Sequence, residues 1–314
     1  MFKNMLVPLD GSPLAEAALP YAKALAARTG GRLTLVRAAH YASLLGDMAV
    51  DQHRSIEIAE GYLERQVERL AAEGCTAQTA VPFGGSTANW IVEEADIRGA
   101  DLVVMATHDR VGADRWLHGS VAETVVHRSI IPVMVVRAGD AEQLAGRFAQ
   151  QQPPVVVPLD GSELAEAALP VARGLVDRFG GRLVLVGVIP AAGQFVAGPG
   201  GAIMAYTAPD LADLEAEAHT YLEGIARRAA GTQVQIVLRA GDAATEIAHV
   251  AQEHAGAAVV MATHGRTGAI RSILGSVAWS VVHRSSGPVL LVRARAVQVA
   301  QPLPVQQIAA MPGS

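Results

Sequence analysis

The chain is poor in cross-links and in aromatic mass. Its one cysteine, Cys75, cannot form an internal disulfide, which fits a reducing cytoplasm. Cys75 itself reads as a bystander near the end of a helix. Aromatic residues make up 4% of the 314, so the cores must be built from Ala, Val, Leu and Ile. Runs of Lys or Arg are missing, the formal net charge is −5 and the pI is about 6.1. Nucleic acid is therefore not expected as a partner. No apolar run reaches the roughly 18 residues of a membrane helix. The opening MFKNMLVPLDGS lacks a signal-peptide layout and reads as a strand. These absences favour a cytoplasmic protein without a membrane partner.

Several chemistries also lack their motif. There is no G-x-x-x-x-G-K-[ST] loop and no G-x-G-x-x-G after a strand. No Ser has a His and an acid at recognisable triad spacing. Metal-ligand clusters are absent, and His108, His127, His264 and His283 read as structural. His127 and His283 precede Arg128 and Arg284 at helix ends, where a cation suits the dipole. No catalytic or metal-binding residue is assigned.

What the sequence does have is a copy of itself. VPLDGSPLAEAALPYAKALAARTGGRLTLV, from Val7, recurs as VPLDGSELAEAALPVARGLVDRFGGRLVLV from Val157, an offset of 150. VVMATHDRVGADRWLHGSVAETVVHRSIIPVMVVRA, from Val103, recurs from Val259, an offset of 156. The six extra residues fall where the second copy carries AAGQFVAGPGGAIMAYTAP. Repeats of this length and order imply a duplicated domain. The expected units are residues 1–138 and 154–295, with a linker at 139–153. A Pro-, Gln- and Ala-rich tail at 296–314 is expected to be mobile. In the insert, Gly193, Gly198, Gly200 and Gly201 suggest either a flap over the second copy's site or a plain surface loop.

Each copy alternates strands and helices, which predicts an α/β fold with a parallel sheet covered on both faces. In the first copy the strands are expected at Asn4–Leu9, Arg32–Ala38, Gln78–Pro82, Asp101–Ala106 and Pro132–Arg137. One helix should start at Ser12, with Pro13 in its first turn, run through Tyr21 and Leu25, and stop at Gly30-Gly31. Further helices are expected over Ser55–Ala72, Thr87–Arg98 and Ser120–Arg128. In such sheets a ligand crevice lies past the carboxyl ends of the strands.

Two loops should meet at that crevice. The first is Pro8-Leu9-Asp10-Gly11-Ser12, repeated as Pro158-Leu159-Asp160-Gly161-Ser162. Asp10 and Asp160 could accept hydrogen bonds from a ribose hydroxyl, or simply help to start the helix. The second loop, in the second copy, is Ala262-Thr263-His264-Gly265, nine residues, then Gly275-Ser276. Gly265 would let backbone N–H groups approach an anion, and the helix opening at Gly275-Ser276 favours phosphate. Arg266 and Arg271 could neutralise its charge. The alternative is a glycine-rich connection that merely turns.

Taken together, VPLDGS, MATHGR with its spaced GSVA, and HRSSGPVLLVRA resemble the universal stress protein family over nearly all of both copies. The resemblance implies two tandem Rossmann-like (adenine nucleotide α-hydrolase-like) domains, each a five-stranded parallel sheet of order 3-2-1-4-5. In one subclass it also implies ATP binding through G-x-x-G-x9-G-[ST]. Carried over, Pro158 and Asp160 would hold the ribose or adenine end, and the backbone at Val188 would meet the adenine. Met261, Ala262, His264, Gly265 and Arg266 would border the ribose and phosphates, with Gly275, Ser276 and Val277 on the triphosphate. Ala262 replaces the first glycine of the signature, a mild change if the backbone keeps a negative φ.

The first copy departs further. Pro8, Asp10, Ala38, Gly119, Ser120 and Val121 take the corresponding positions, but Ala106 replaces the first glycine and Asp109 stands where the second copy has Gly265. A carboxylate about 4 Å from a phosphate charge costs about 4 kcal/mol per pair at an effective dielectric near 20. Unless Arg110 or Arg115 compensates, or Asp109 turns outward, this site should be weakened. The expected function is an ATP-binding regulatory or stress-response protein, with Mg²⁺ a reasonable companion and slow hydrolysis at most. Protein partners and a homodimer are also expected, along with pairing of the two copies through their final strands. The alternatives are an interaction module without nucleotide, and an adenylyl-transferring enzyme.

Overall fold

The computed structural model describes residues 1–39, 48–107, 120–139, 141–150, 152–191, 195–197, 203–205, 208–229, 231–263 and 275–294. The first repeat runs β1 (Asn4–Pro8), α1 (Pro13–Glu16), α2 (Leu19–Thr29), β2 (Arg32–Val36), α3 (Met48–Ala72), β3 (Ala77–Ala80), α4 (Thr87–Ile97), β4 (Leu102–Thr107), α5 (Ser120–Arg128) and β5 (Val133–Arg137). Helix α6 (Ala141–Gln150) follows. The second repeat runs β6 (Val155–Pro158), α7 (Glu163–Glu166), α8 (Leu169–Phe179), β7 (Leu183–Ile189), β8 (Phe195–Ala197), β9 (Ile203–Ala205), α9 (Ala208–Arg228), β10 (Val234–Ala240), α10 (Ala243–Glu253), β11 (Ala258–Ala262), α11 (Ser276–Arg284) and β12 (Val289–Val292).

Ten strands form one sheet, in the order β10-β7-β6-β11-β12-β5-β4-β1-β2-β3. Within each repeat the pairs are parallel and the order is 3-2-1-4-5, as the resemblance implies. The two fifth strands join antiparallel, with Val289 opposite Val135 and Leu291 opposite Val133. This seam satisfies two edges that would otherwise remain open. It also turns the halves head to tail, so their strand carboxyl ends lie at opposite edges of the sheet.

Strands such as β6 (VVVP) and β12 (VLLV) are buried at every position, as parallel strands covered on both faces should be. Residues alternate between two cores. Met5, Val7, Val155 and Val157 pack in one, and Leu6, Val103, Val156 and Val259 in the other. Both cores draw on both repeats, so the sandwich is continuous across the seam.

Local signals explain most boundaries. The Ser12 hydroxyl accepts from the Ala15 N–H at 3.2 Å, and Ser162 does the same for Ala165. Gly30 caps α2 at φ +62°, a left-handed conformation glycine adopts without steric cost. The single helix expected from Ser12 through Leu25 is instead two, α1 and α2. Pro20 has no N–H to donate and its ring crowds the carbonyl of Glu16, four residues earlier. Pro170 produces the same break in the second repeat. Helix α3 also begins seven residues before the expected Ser55.

The segment between the repeats is a packed helix. Its Ala141, Leu144, Ala145 and Phe148 recur at helical spacing and face the core. Phe148 is fully buried, with its ring 6.0 Å from Tyr21 of α2 and 4.6 Å from Phe179 of α8. Arg28 of α2 stacks over Phe179 and donates to the carbonyl of Ala149 at 2.8 Å. Helix α6 thus wedges between the repeats on one face of the sheet. In the insert, β8 and β9 pair antiparallel as a short ribbon. Gly193, Gly198, Gly200 and Gly201, and the tail 296–314, lie outside the described residues.

Candidate functional site

In the second repeat, a cavity of about 310 Å³ opens at the carboxyl ends of β6, β7 and β11. The expected Pro158, Asp160, Val188, Met261, Ala262, Gly275, Ser276 and Val277 all line it. His264, Gly265 and Arg266 lie outside the described residues, as does Arg271. The loop they belong to leaves and returns at one point, because Gly275 donates its N–H to the Thr263 carbonyl at 2.8 Å. Thr263 is in turn held by its own N–H on Val292, 2.9 Å away.

The cavity has a polar rim and an apolar wall. Asp160 sits in the turn after β6, where its Oδ1 accepts from the Ser162 N–H at 3.0 Å and the Ser162 hydroxyl at 2.6 Å. Opposite it, α11 starts at Ser276 with no side-chain cap, and its first internal bond is Trp279 N–H to Gly275. The N–H groups of Ser276, Val277 and Ala278 therefore have no partner within the helix. They stand at its positive end, where an anion is favoured. Val186, Val188, Ala243 and Ile247 supply apolar surface.

Ala243 and Ile247 were not among the sequence candidates. They belong to α10, which Asp242 caps by accepting from Thr245 N–H at 3.0 Å. The Thr245 hydroxyl and N–H hold the Asp242 carboxyl below the usual carboxylate range. The signal was Asp242 itself, a cap just after a strand.

Behind each first loop stands the same brace. Tyr62 donates to Glu16 at 2.9 Å and Arg69 pairs with it at 3.3 Å. Tyr221 donates to Glu166 at 3.1 Å and Arg228 pairs with it at 2.9 Å. Burial first, then the neighbouring carboxylate, pushes both phenols up.

The two mouths differ in front of that brace. In the first repeat Arg37 lies 4.8 Å over the Tyr62 ring. Its guanidinium comes so close to Gly11 that a Cβ there would sit 3.1 Å from it. Gly187 takes the corresponding position in the second repeat, and a Cβ on Gly161 would meet nothing within 4 Å. Of the first-repeat candidates, Pro8 ends β1, Ala38 follows β2, and Ser120 and Val121 open α5. Asp10 Oδ1 accepts from the Ser12 N–H at 2.8 Å, so it does help to shape the helix start. Gly119, Asp109, Arg110 and Arg115 lie outside the described residues.

His127 and His283 occupy the last turns of α5 and α11. His283 also meets Trp279 edge-on at 5.0 Å. Cys75 is free and half-buried, and burial pushes its thiol up. Among the described residues, no three His, Cys, Asp or Glu gather as a metal site. No described helix is long and apolar enough to cross a membrane.

The model of the universal stress protein family matches residues 1–137 and 153–293. The chain belongs to that family. Universal stress protein YxiE of Bacillus subtilis is 32% identical over 149 residues, which are 44% of this chain and the whole of that one. A universal stress protein of Mycobacterium tuberculosis is 32% identical over 199 residues, 62% of each chain. The crystal structure of a universal stress protein from Archaeoglobus fulgidus shares the fold, with a TM-score of 0.68 and 22% identity. The match covers 93% of this chain and 97% of that one.

Proposed function

We propose that the second repeat, residues 154–295, binds ATP, and that the protein is a nucleotide-binding regulator in a stress response. The observation that carries this is the second-repeat cavity, with an acidic residue on one rim and, on the other, helix N–H groups that have no partner within the helix. Its volume is within the range of small-molecule sites. The residues fit the ligand. The Asp160 carboxylate would accept from a ribose hydroxyl. The Val188 backbone and the apolar wall of Ala243 and Ile247 would bind the adenine. Met261 and Ala262 would border the sugar, and His264, Gly265 and Arg266 the phosphates. The N–H groups and hydroxyl at Gly275, Ser276 and Val277 would take the far phosphates, with Mg²⁺ as a possible companion.

The first repeat, residues 1–138, is the degenerate partner in this proposal. Asp109 brings a carboxylate to the phosphate side, and Arg37 fills space that is open beside Gly161. Pro8, Asp10, Ala38, Gly119, Ser120 and Val121 would then hold nucleotide weakly. No residue is assigned to hydrolysis. Titration calorimetry of the full chain should show one tight ATP site, lost in Gly265→Asp. Mass spectrometry of the purified protein should find the same nucleotide carried through. A wild-type protein that takes up no ATP overturns the proposal.

A further inference from the structure

Among the described residues the sheet has two unpaired ends, and they are unlike each other. At one end β3 is four residues long, with Pro82 just beyond it. At the other, β10 runs seven residues, VQIVLRA. Natural edges are usually blunted by Lys, Pro, a bulge or short length. Strand β10 has no Lys, Pro or bulge, and its one charged residue, Arg239, is paired with Glu253 of the same chain. Among the described residues, no strand pairs with its outer side.

The ladder fixes which backbone groups point outward. Leu183 N–H donates to the Gln233 carbonyl at 2.9 Å, and Gly241 N–H to the Ile189 carbonyl at 3.0 Å. Odd-numbered residues thus face β7. Val234, Ile236, Leu238 and Ala240 turn their N–H and C=O groups away from the sheet.

We infer that β10 is the surface on which a second copy of this chain docks, strand to strand and antiparallel across a two-fold axis at Val237. The sequence is self-complementary about that residue. Ile236 falls opposite Leu238 of the other copy, Gln235 opposite Arg239, and Val234 opposite Ala240. Each outward-facing residue meets an outward-facing residue, which is what a hydrogen-bonded antiparallel pair requires. Apolar meets apolar on one face; on the other, Gln235 meets Arg239 on either side of a central Val237–Val237 pair, and such cross-strand pairs stabilise a sheet.

Charge does not oppose the contact. Both carboxylate oxygens of Glu253 hold Arg239, at 2.8 and 2.9 Å, so each edge brings its counter-charge with it. Val234, Ile236, Val237 and Leu238 are only partly buried by the chain's own helices. A second strand would cover their remaining surface. The fold already accepts this kind of join, since β5 and β12 pair antiparallel with Val, Leu and Met side chains facing one another. The same chain would repeat at its end what it does at its centre, and an isologous contact closes after two copies.

Sedimentation velocity on the full chain tests this. The wild type should be a dimer. Val237→Lys and Val237→Glu should each sediment as monomers, because like charges then face each other on the axis. An equimolar mixture of the two should return to dimer, which a simple folding defect would not allow. In addition, Val237→Cys in a Cys75→Ser background should cross-link to itself under mild oxidation. Opposed residues of a non-hydrogen-bonded pair lie about 4.5 Å apart at Cα, within reach of a disulfide. A monomeric wild type, a dimer that survives Val237→Lys, or a mixture that stays monomeric would each overturn the inference. ATP stoichiometry per chain is a separate readout, so either proposal can fail without the other.

Discussion

The two halves of this chain are built alike and finished differently. Both have the same strand order, the same Ser-capped first turn and the same Tyr–Glu–Arg brace behind it. In front of the brace the second half leaves space beside Gly161, and the first half fills the matching space with Arg37. In the loop after the fourth strand, Gly265 of the second copy corresponds in sequence to Asp109 of the first. The lesson is that duplication preserves what holds a sheet together and leaves the residues at the mouth free to differ.

The comparison can be broken most severely at Gly265. Gly265→Asp copies the first half's loop into the second and should weaken ATP binding by about 4 kcal/mol per charge pair, roughly a thousandfold. Calorimetry reads this directly. An unchanged affinity would mean that residue 265 faces away from the phosphates. A second cut falls on the seam. Phe148→Ala removes a buried ring wedged between the repeats and should cost about 3 kcal/mol or more. In urea the two halves should lose stability together, and separate transitions would show that they are independent units.

Smaller changes sharpen the contrast. Asp160→Ala should weaken ATP by about 1.5–3 kcal/mol, the range of a charge-assisted hydrogen bond, whereas Asp10→Ala should leave ATP affinity unchanged. The smallest effect concerns pH. His254 stands where the first half has Arg98. Burial, then the charge of Arg182, holds its imidazole below the usual 6.5. The unfolded chain therefore binds this proton more readily than the folded one. The stability it contributes is full above about pH 6.5 and is lost as pH falls through the folded value. His254→Gln should flatten the denaturation midpoint over that window, and an unaltered profile would remove His254 as the cause.

Much of this was legible in the residues. The repeat and its strands stand out because buried parallel strands are continuous runs of Val, Leu and Ile. Ser12, Ser162 and the glycines after α2 and α8 mark boundaries by chemistry that acts within a few residues. Of the cavity-lining residues, Asp160 and Ser276 follow from the turn after a buried strand and from a helix start, while Val188 came with the family resemblance. What stayed hidden depends on contacts between distant segments. Arg37 looks like an ordinary strand-end arginine until Tyr62 and Gly11 are brought beside it. Ala243 and Ile247 look like core residues of α10 until β7 and β11 place them on a cavity wall. Helix α6 carried a signal, the spacing of Ala141, Leu144, Ala145 and Phe148, inside a stretch that read as a connection. Pro20 was also in plain view, but the apolar spacing on either side of it read as one helix.

The central claim is that one half of a doubled fold keeps a working nucleotide site. The number of ATP molecules bound per chain, measured by titration calorimetry on wild type and on Asp109→Gly, tests it most directly. The account predicts one site in the wild type and a second, weaker one once Asp109 is removed. Two equal sites in the wild type would contradict it.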